Sequence, residues 1–203
     1  MTPTKKRGKG SYLILVGVVV LILSIGPVAL RSYGTPLNWV IRIAALAGYL
    51  AIFLAIISSA YMREMLRFFG RPFIKVHHIL SVSGLILITL HPVMVAVDSL
   101  SLGVFAPRFD SWRIFLQLGG RPAWYLLVIA STTALLRKKI GRNWRTIHTL
   151  NYVAFWLGSV HAILIGTSFQ SAVVRAVPVV LSLIIIAVFV QKRLQASRRR
   201  RRQ

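Results

Sequence analysis

The chain alternates between long apolar runs and short polar segments that are rich in lysine and arginine. The apolar runs cover residues 12–30, 38–62, 73–97, 122–136, 143–166 and 172–190. About 20 helical residues cross a hydrocarbon core of about 30 Å, and Arg121 and Arg137 can extend the short fourth run by reaching toward the membrane surfaces. The pattern predicts an all-α integral membrane protein, a six-transmembrane-helix bundle over residues 12–190.

Composition supports this class and indicates an orientation. The chain is 56% hydrophobic with a mean hydropathy of +0.71, and it carries 26 Lys and Arg against 3 Asp and Glu. Six spans place both termini on one side with the loops after the second and fourth spans, where 20 of the 26 cations lie. The positive-inside rule therefore predicts a multi-pass protein of the plasma membrane with a basic cytoplasmic N-terminus (1–11) and a basic cytoplasmic tail (191–203). The first run is longer than a typical signal-peptide core, so we expect a retained anchor.

The charged tail and the absence of cysteine exclude several kinds of function. A basic run beside a membrane helix is typical of topology signals that contact anionic lipids, so we expect no nucleic-acid partner. The chain has no cysteine, which rules out disulfides, thiolate metal sites, iron–sulfur clusters and c-type haem attachment.

The segment of residues 98–121 is predicted to be the longest external loop. Its Trp112, Phe115 and Leu116 have the spacing of a short amphipathic helix that lies in the membrane interface. We expect this helix to pack on the bundle, with a lid over an external site as the alternative.

All five histidines lie in the third and fifth apolar runs. The third run holds His77, His78 and His91, and the fifth run holds His148 and His161. Ionisable residues inside a membrane are rare and usually functional. Both runs are predicted to cross from inside to outside, so two histidine pairs lie at two levels about 20 Å apart along the helices.

A b-type haem takes a neutral histidine on each face, and two haems at two levels would conduct electrons across the membrane. His77 and His91 are 14 residues apart, which returns to nearly the same helix face. The 13-residue step from His148 to His161 misses that face by about 140° on a straight helix, so the fifth helix must twist, bulge or present its two ligands from different sides.

Two other interpretations of the histidines remain open. They could form hydrogen bonds between helices, or they could serve a membrane transporter or channel for metal ions or protons. A proton or metal pathway usually includes acidic residues, and Glu64, Asp98 and Asp110 all lie away from the membrane centre.

The histidine runs resemble a known family. "VHHILSVSGLILITLHP" is similar to a helix of the ferric reductase-like transmembrane domain superfamily, which includes ferric reductases and NADPH oxidases. "RPAWYLLVIASTTALLRKKIGRNWRTIHTLNYVAFWLGSVHAIL" resembles the haem-binding subunit of the periplasmic methionine sulfoxide reductase system. That subunit lacks the cytoplasmic-side histidine of its third helix, so the presence of His77 and His78 favours the general two-haem pattern.

The resemblance implies two haem b groups, with His77 and His148 on the inner iron and His91 and His161 on the outer iron. The family's 14-residue spacing selects His77 as the inner ligand, and symmetry with the 13-residue pair selects His78. It also implies an electron-transfer subunit of an oxidoreductase. The chain has no G-x-G-x-x-G motif, so we expect electrons from a cytoplasmic flavoprotein reductase, a bound FMN or a membrane quinol. They would pass to an external acceptor or partner reductase.

Overall fold

The described part of the molecule is helical and contains no β-strand. The computed structural model describes residues 34–69, 74–167 and 172–200. Its long helices are α1 (Pro36–Ala60), α2 (Ile74–Ser99), α3 (Gly120–Leu135), α4 (Leu150–Ile165) and α5 (Ala172–Arg200). The predicted all-α class is therefore confirmed for these residues, and the first predicted span lies outside them.

Three of the helices are long and apolar enough to cross a membrane. They are the segments Pro36–Ala60, Ile74–Ser99 and Val174–Arg198, and they coincide with the second, third and sixth predicted spans. Leu150–Ile165 is a shorter apolar helix, and α3 has 16 residues. Three of the described helices are therefore candidate membrane spans.

Short helices connect the long ones. They are Met62–Phe69, Leu102–Phe105, Trp112–Gln117, Arg137–Ile140, Gly141–Asn143 and Trp144–His148. The helix predicted around Trp112 is present, and the Ser111 hydroxyl caps it by accepting a hydrogen bond from the Ile114 N–H at 3.2 Å. Trp112 is 74% exposed, as expected for a residue at a membrane surface.

Two antiparallel helix pairs form the bundle. α1 packs along α2 through glycine contacts: a Cβ on Gly48 would lie 2.9 Å from the Ile88 backbone nitrogen, and one on Gly84 would lie 2.9 Å from Ile52 Cδ1. Small residues allow such close approach of membrane helices. α3 packs along α4, and α5 packs against α4 and α1. By contrast, α2, which carries His77 and His91, and α4, which carries His161, make little direct contact.

The predicted fifth span is interrupted near its start. The chain is helical over Trp144–His148 and again over Leu150–Ile165, with Thr149 between them. The backbone N–H of Thr149 donates to Thr146 at 3.2 Å, and that of Tyr152 donates to Thr149 at 3.1 Å. Both bonds span three residues, which is the tighter 3₁₀ pattern.

Candidate functional site

His77 and His148 are called the inner pair, and His91 and His161 the outer pair. His77 lies in the first turn of α2, and its Nδ1 is 2.9 Å from the Ala55 carbonyl oxygen of α1. His148 ends the helix before Thr149, and its Nδ1 is 3.0 Å from the Ala130 carbonyl oxygen of α3. Each inner histidine is thus held by a carbonyl of the long helix that comes before it in the chain, α1 for His77 and α3 for His148.

The outer pair has the same arrangement. His91 Nδ1 is 3.2 Å from the Ile41 carbonyl oxygen of α1. His161 Nδ1 is 2.6 Å from the carbonyl oxygen of Gln117, which ends the short helix Trp112–Gln117 just before α3. All four histidines are half-buried.

These hydrogen bonds determine which ring nitrogen can bind a metal. A carbonyl oxygen only accepts hydrogen bonds, so Nδ1 must carry the proton in each neutral ring. Nε2 then presents its lone pair, which is the usual state of a histidine that ligates a metal while its other nitrogen is held by the protein. The four residues therefore have the chemistry of haem ligands.

Contacts at Nε2 of the inner pair are weak. The Ser81 hydroxyl lies 3.5 Å from His77 Nε2, beyond a good hydrogen-bond distance. The Asn151 amide nitrogen lies 3.3 Å from both ring nitrogens of His148, and in this tautomer only Nε2 can accept a hydrogen bond from it. Asn151 Oδ1 is buried without a hydrogen-bond partner among the described residues.

The acceptor carbonyls repeat the histidine spacing. Ile41 and Ala55 are 14 residues apart, as are His77 and His91. Gln117 and Ala130 are 13 residues apart, as are His148 and His161. In each antiparallel pair, the two histidines and the two carbonyls that hold them have the same spacing along the chain. The two helix pairs therefore share one pattern of contacts, with a spacing of 14 residues in one and 13 in the other.

The members of each predicted pair lie within electrostatic range of each other. Protonated His77 would be repelled by protonated His148, and protonated His91 by protonated His161. α2 and α4 make little direct backbone contact, and Leu85 and Ile88 of α2 pack against the shared core that includes Phe155 of α4. Two histidines at each level, each able to offer Nε2, match the donor set that a haem iron held by two histidines requires.

Gly120 provides room for one ring of the outer pair. A Cβ at this position would lie 2.9 Å from His161 Cδ2 and 3.0 Å from Nε2. Real Cβ atoms do not approach other atoms this closely, so any larger residue would displace the imidazole. The sequence contains nothing that marks this glycine, because its role depends on how α3 meets α4.

His78 differs from the four paired histidines. It is exposed, whereas His77 is half-buried. Its ring lies 5.8 Å from the His77 ring, centroid to centroid, and within the described ranges it makes no hydrogen bond to a carbonyl. Of the two alternatives that the sequence leaves open, this environment favours His77.

The interruption at Thr149 reduces the mismatch of the 13-residue spacing. A 3₁₀ turn rotates by about 120° per residue, against about 100° in an α-helix, so three tightened residues add about 60° toward alignment of His148 with His161. The Thr149 hydroxyl, which donates to the Thr146 carbonyl at 2.6 Å, supports the tighter turn. About 80° of the mismatch remains, so this tightening beside the inner histidine accounts for part of it.

The segment between α2 and α3 is fixed beside the outer pair. Arg121 Nη1 donates to the Ala106 carbonyl at 2.6 Å, and Arg121 also interacts electrostatically with His161. In the same segment, the Arg108 guanidinium donates to Asp110 at 2.8 Å and lowers the pKa of that carboxyl. Arg121 is a cation at the site that sequence reasoning treated only as a membrane anchor.

Conventional metal clusters are not found in the described ranges: no three His, Cys, Asp or Glu side chains come together there to hold an ion. A haem iron held by two histidines does not require a third protein ligand.

Comparison with known proteins shows which family the chain belongs to, but that family has no known activity. Residues 37–168 match the model described as a domain of unknown function (DUF8596), and the chain belongs to that family. No curated protein and no solved structure matches the chain.

Proposed function

We propose that this protein is a transmembrane electron-transfer cytochrome b, the membrane subunit of a reductase. One observation carries the proposal: four histidines at two levels each donate Nδ1–H to a backbone carbonyl and leave Nε2 available. If the histidines only connected helices, we would expect Nε2 to have close partners as well, but His77 and His148 have only contacts of 3.5 and 3.3 Å there.

His77 and His148 would hold the inner haem b, and His91 and His161 the outer one. When bound, haem b with two histidine ligands gains and loses single electrons and has no open position for oxygen. The carbonyl contacts fix each imidazole ring in its ligating tautomer. Gly120 leaves space for the His161 ring, and Arg121 supplies a positive charge near the outer pair that suits a haem carboxylate.

The topology that fits this function has six spans and both termini in the cytoplasm, as the cation distribution predicts. The electron donor would be a cytoplasmic flavoprotein reductase or a membrane quinol, with FMN or a quinone as a further carrier. The acceptor would lie outside, in solution or on a partner reductase. The basic cytoplasmic segments would contact anionic lipids.

Absorbance of the purified protein tests the proposal directly. The chain expressed in haem-replete cells and purified in detergent should show Soret and α bands and contain two haems per chain. A properly folded protein without haem would contradict the proposal and favour a transporter or channel that uses the histidines for metal ions or protons. His78→Ala is the matched control, because His78 is an exposed histidine in the same helix turn.

Electron transfer across a bilayer is the second test. The protein in liposomes, reduced from the face that carries the termini, should reduce an impermeant acceptor on the opposite face. If the protein contains haem but does not reduce this acceptor, the cofactor proposal would stand and the proposed direction of electron flow would be wrong.

A further inference from the structure

The carbonyl groups that hold the inner pair each accept a second side-chain hydrogen bond. The Ser58 hydroxyl donates to the Ala55 oxygen at 2.9 Å, and His77 Nδ1 lies 2.9 Å from the same oxygen. The Thr133 hydroxyl donates to the Ala130 oxygen at 2.9 Å, and His148 Nδ1 lies 3.0 Å from it. In both cases the hydroxyl belongs to the residue three positions after the carbonyl that holds the inner histidine.

The outer acceptors lack this feature. Ile41 and Gln117 accept hydrogen bonds from His91 and His161, and no side-chain hydroxyl in the described part of the chain donates to either oxygen. Ser58 is only 2% exposed and Ala130 is fully buried, so bulk water does not compete at the inner contacts. The difference between the two levels is therefore set by the protein.

A shared carbonyl binds each donor less strongly. A carbonyl oxygen has two lone pairs, and in a helix it already accepts from the N–H four residues further along. A hydroxyl and an imidazole N–H then divide the remaining capacity. The strength of the Nδ1–H bond matters at the opposite nitrogen, because a stronger bond makes the imidazole a more basic ligand.

We propose that Ser58 and Thr133 are positioning residues that limit the hydrogen bonds of His77 and His148. They thereby keep the ligands of the inner haem less electron-donating than they would otherwise be. This inference rests on the proposed haem binding. Hydrogen bonding to the ligands is one means by which proteins adjust the potential of a haem, and a more donating ligand stabilises the oxidised iron. The two hydroxyls therefore raise the midpoint potential of the inner haem.

The test is a spectroscopic redox titration of the full chain with its haems in detergent. Each haem should give one step in the titration. The step of the inner haem is the one that remains in His91→Ala, which lacks a ligand of the outer haem. Ser58→Ala and Thr133→Val should each move this step to lower potential, and the double variant should move it by about the sum, because each change affects a separate ligand. The outer step should stay in place, as should the haem content.

Matched variants separate this effect from a general disturbance. Ser59→Ala removes a hydroxyl that donates to Ile56, a carbonyl that holds no histidine, and it should leave both steps unchanged. Ser58→Thr and Thr133→Ser keep a hydroxyl and should restore the native potential. An unchanged or raised inner potential, an equal shift in Ser59→Ala, or loss of the inner haem would overturn the inference. A wild-type protein without haem would instead overturn the proposed function.

Discussion

His77 and His78 are adjacent in the chain but have different surroundings. His77 is half-buried and tied to the Ala55 carbonyl at 2.9 Å. His78 points about 100° away on the helix and is exposed. One iron cannot be reached by both without unwinding the helix, so only one is the inner ligand.

His77→Ala should therefore remove the inner haem, whereas His78→Ala and His78→Arg should keep near-normal haem content. Haem quantification and redox-monitored spectra of the single variants provide the measurement. If the His78 variants lose the inner haem and His77→Ala retains it, the 13-residue assignment is correct and ours is wrong.

Gly120→Ala should disrupt the outer site alone. The added methyl would lie 2.9 Å from His161 Cδ2. Such overpacking lowers the stability of the fold by about 1–3 kcal/mol. We expect loss or weakening of the outer haem in the absorbance spectrum, with the inner haem retained. Gly158→Ala is the control, because a Cβ there meets nothing within 4 Å. Equal effects of the two substitutions would show that the His161 contact is unimportant.

Single residues differ in how far the sequence reveals their roles. The four paired histidines could be found from the sequence, because ionisable residues in apolar runs are conspicuous and their spacing is countable. The partners Ala55, Ala130 and Gly120 could not, because a backbone carbonyl or a missing Cβ acquires its role only when another helix packs beside it.

At the level of helices, the sequence indicated that something had to differ in the fifth span. A straight helix with histidines 13 residues apart leaves them about 140° apart. Thr149 is where the structure tightens the helix and removes part of this mismatch. Its location depends on the Thr149–Thr146 hydroxyl contact and on the Ala130 carbonyl that holds His148, which are tertiary features.

Helix α1 is tied to α4 by one polar contact in an otherwise apolar interface. The Tyr49 hydroxyl lies 2.7 Å from Ser159 Oγ, and the Tyr49 ring stacks on Phe155 at 4.6 Å. Ser159 itself donates to the Phe155 carbonyl at 2.8 Å, so Tyr49 is the donor in their shared bond. This contact connects the two histidine-bearing helix pairs.

Tyr49→Phe should destabilise the bundle slightly and leave both haems bound. Interhelical hydrogen bonds in membrane proteins contribute about 0.6 kcal/mol on average, and the ring stacking survives the change. A double-mutant cycle with Ser159→Ala, followed by unfolding in mixed detergent, measures the coupling. A coupling of zero would mean that the hydroxyl contact adds nothing to the association of α1 with α4.

For the whole molecule, the apolar runs predict a helical membrane protein, and the structure confirms the helical class for the described residues. Three helices meet the length and hydropathy of a span, whereas α3 and α4 have 16 residues each, fewer than the roughly 20 needed to cross a bilayer. The hydropathy pattern locates such helices but not their neighbours. The pairing of α1 with α2 and of α3 with α4, which creates the carbonyl contacts, follows from packing surfaces that hydropathy does not describe.

The pairing of histidines across the bundle gives the last prediction. In the proposed assignment, each iron takes one ligand from α2 and one from the span that contains α4: His91 with His161, and His77 with His148. His91→Ala and His161→Ala should then remove one and the same haem, each halving the haem per chain and leaving identical residual spectra. Two different residual spectra would mean that the levels are crossed, with His91 and His161 on different irons. Complete haem loss from either substitution would mean that the two sites do not form independently. Because both variants keep the inner pair and its carbonyl contacts, we expect the remaining haem to titrate as a single redox step.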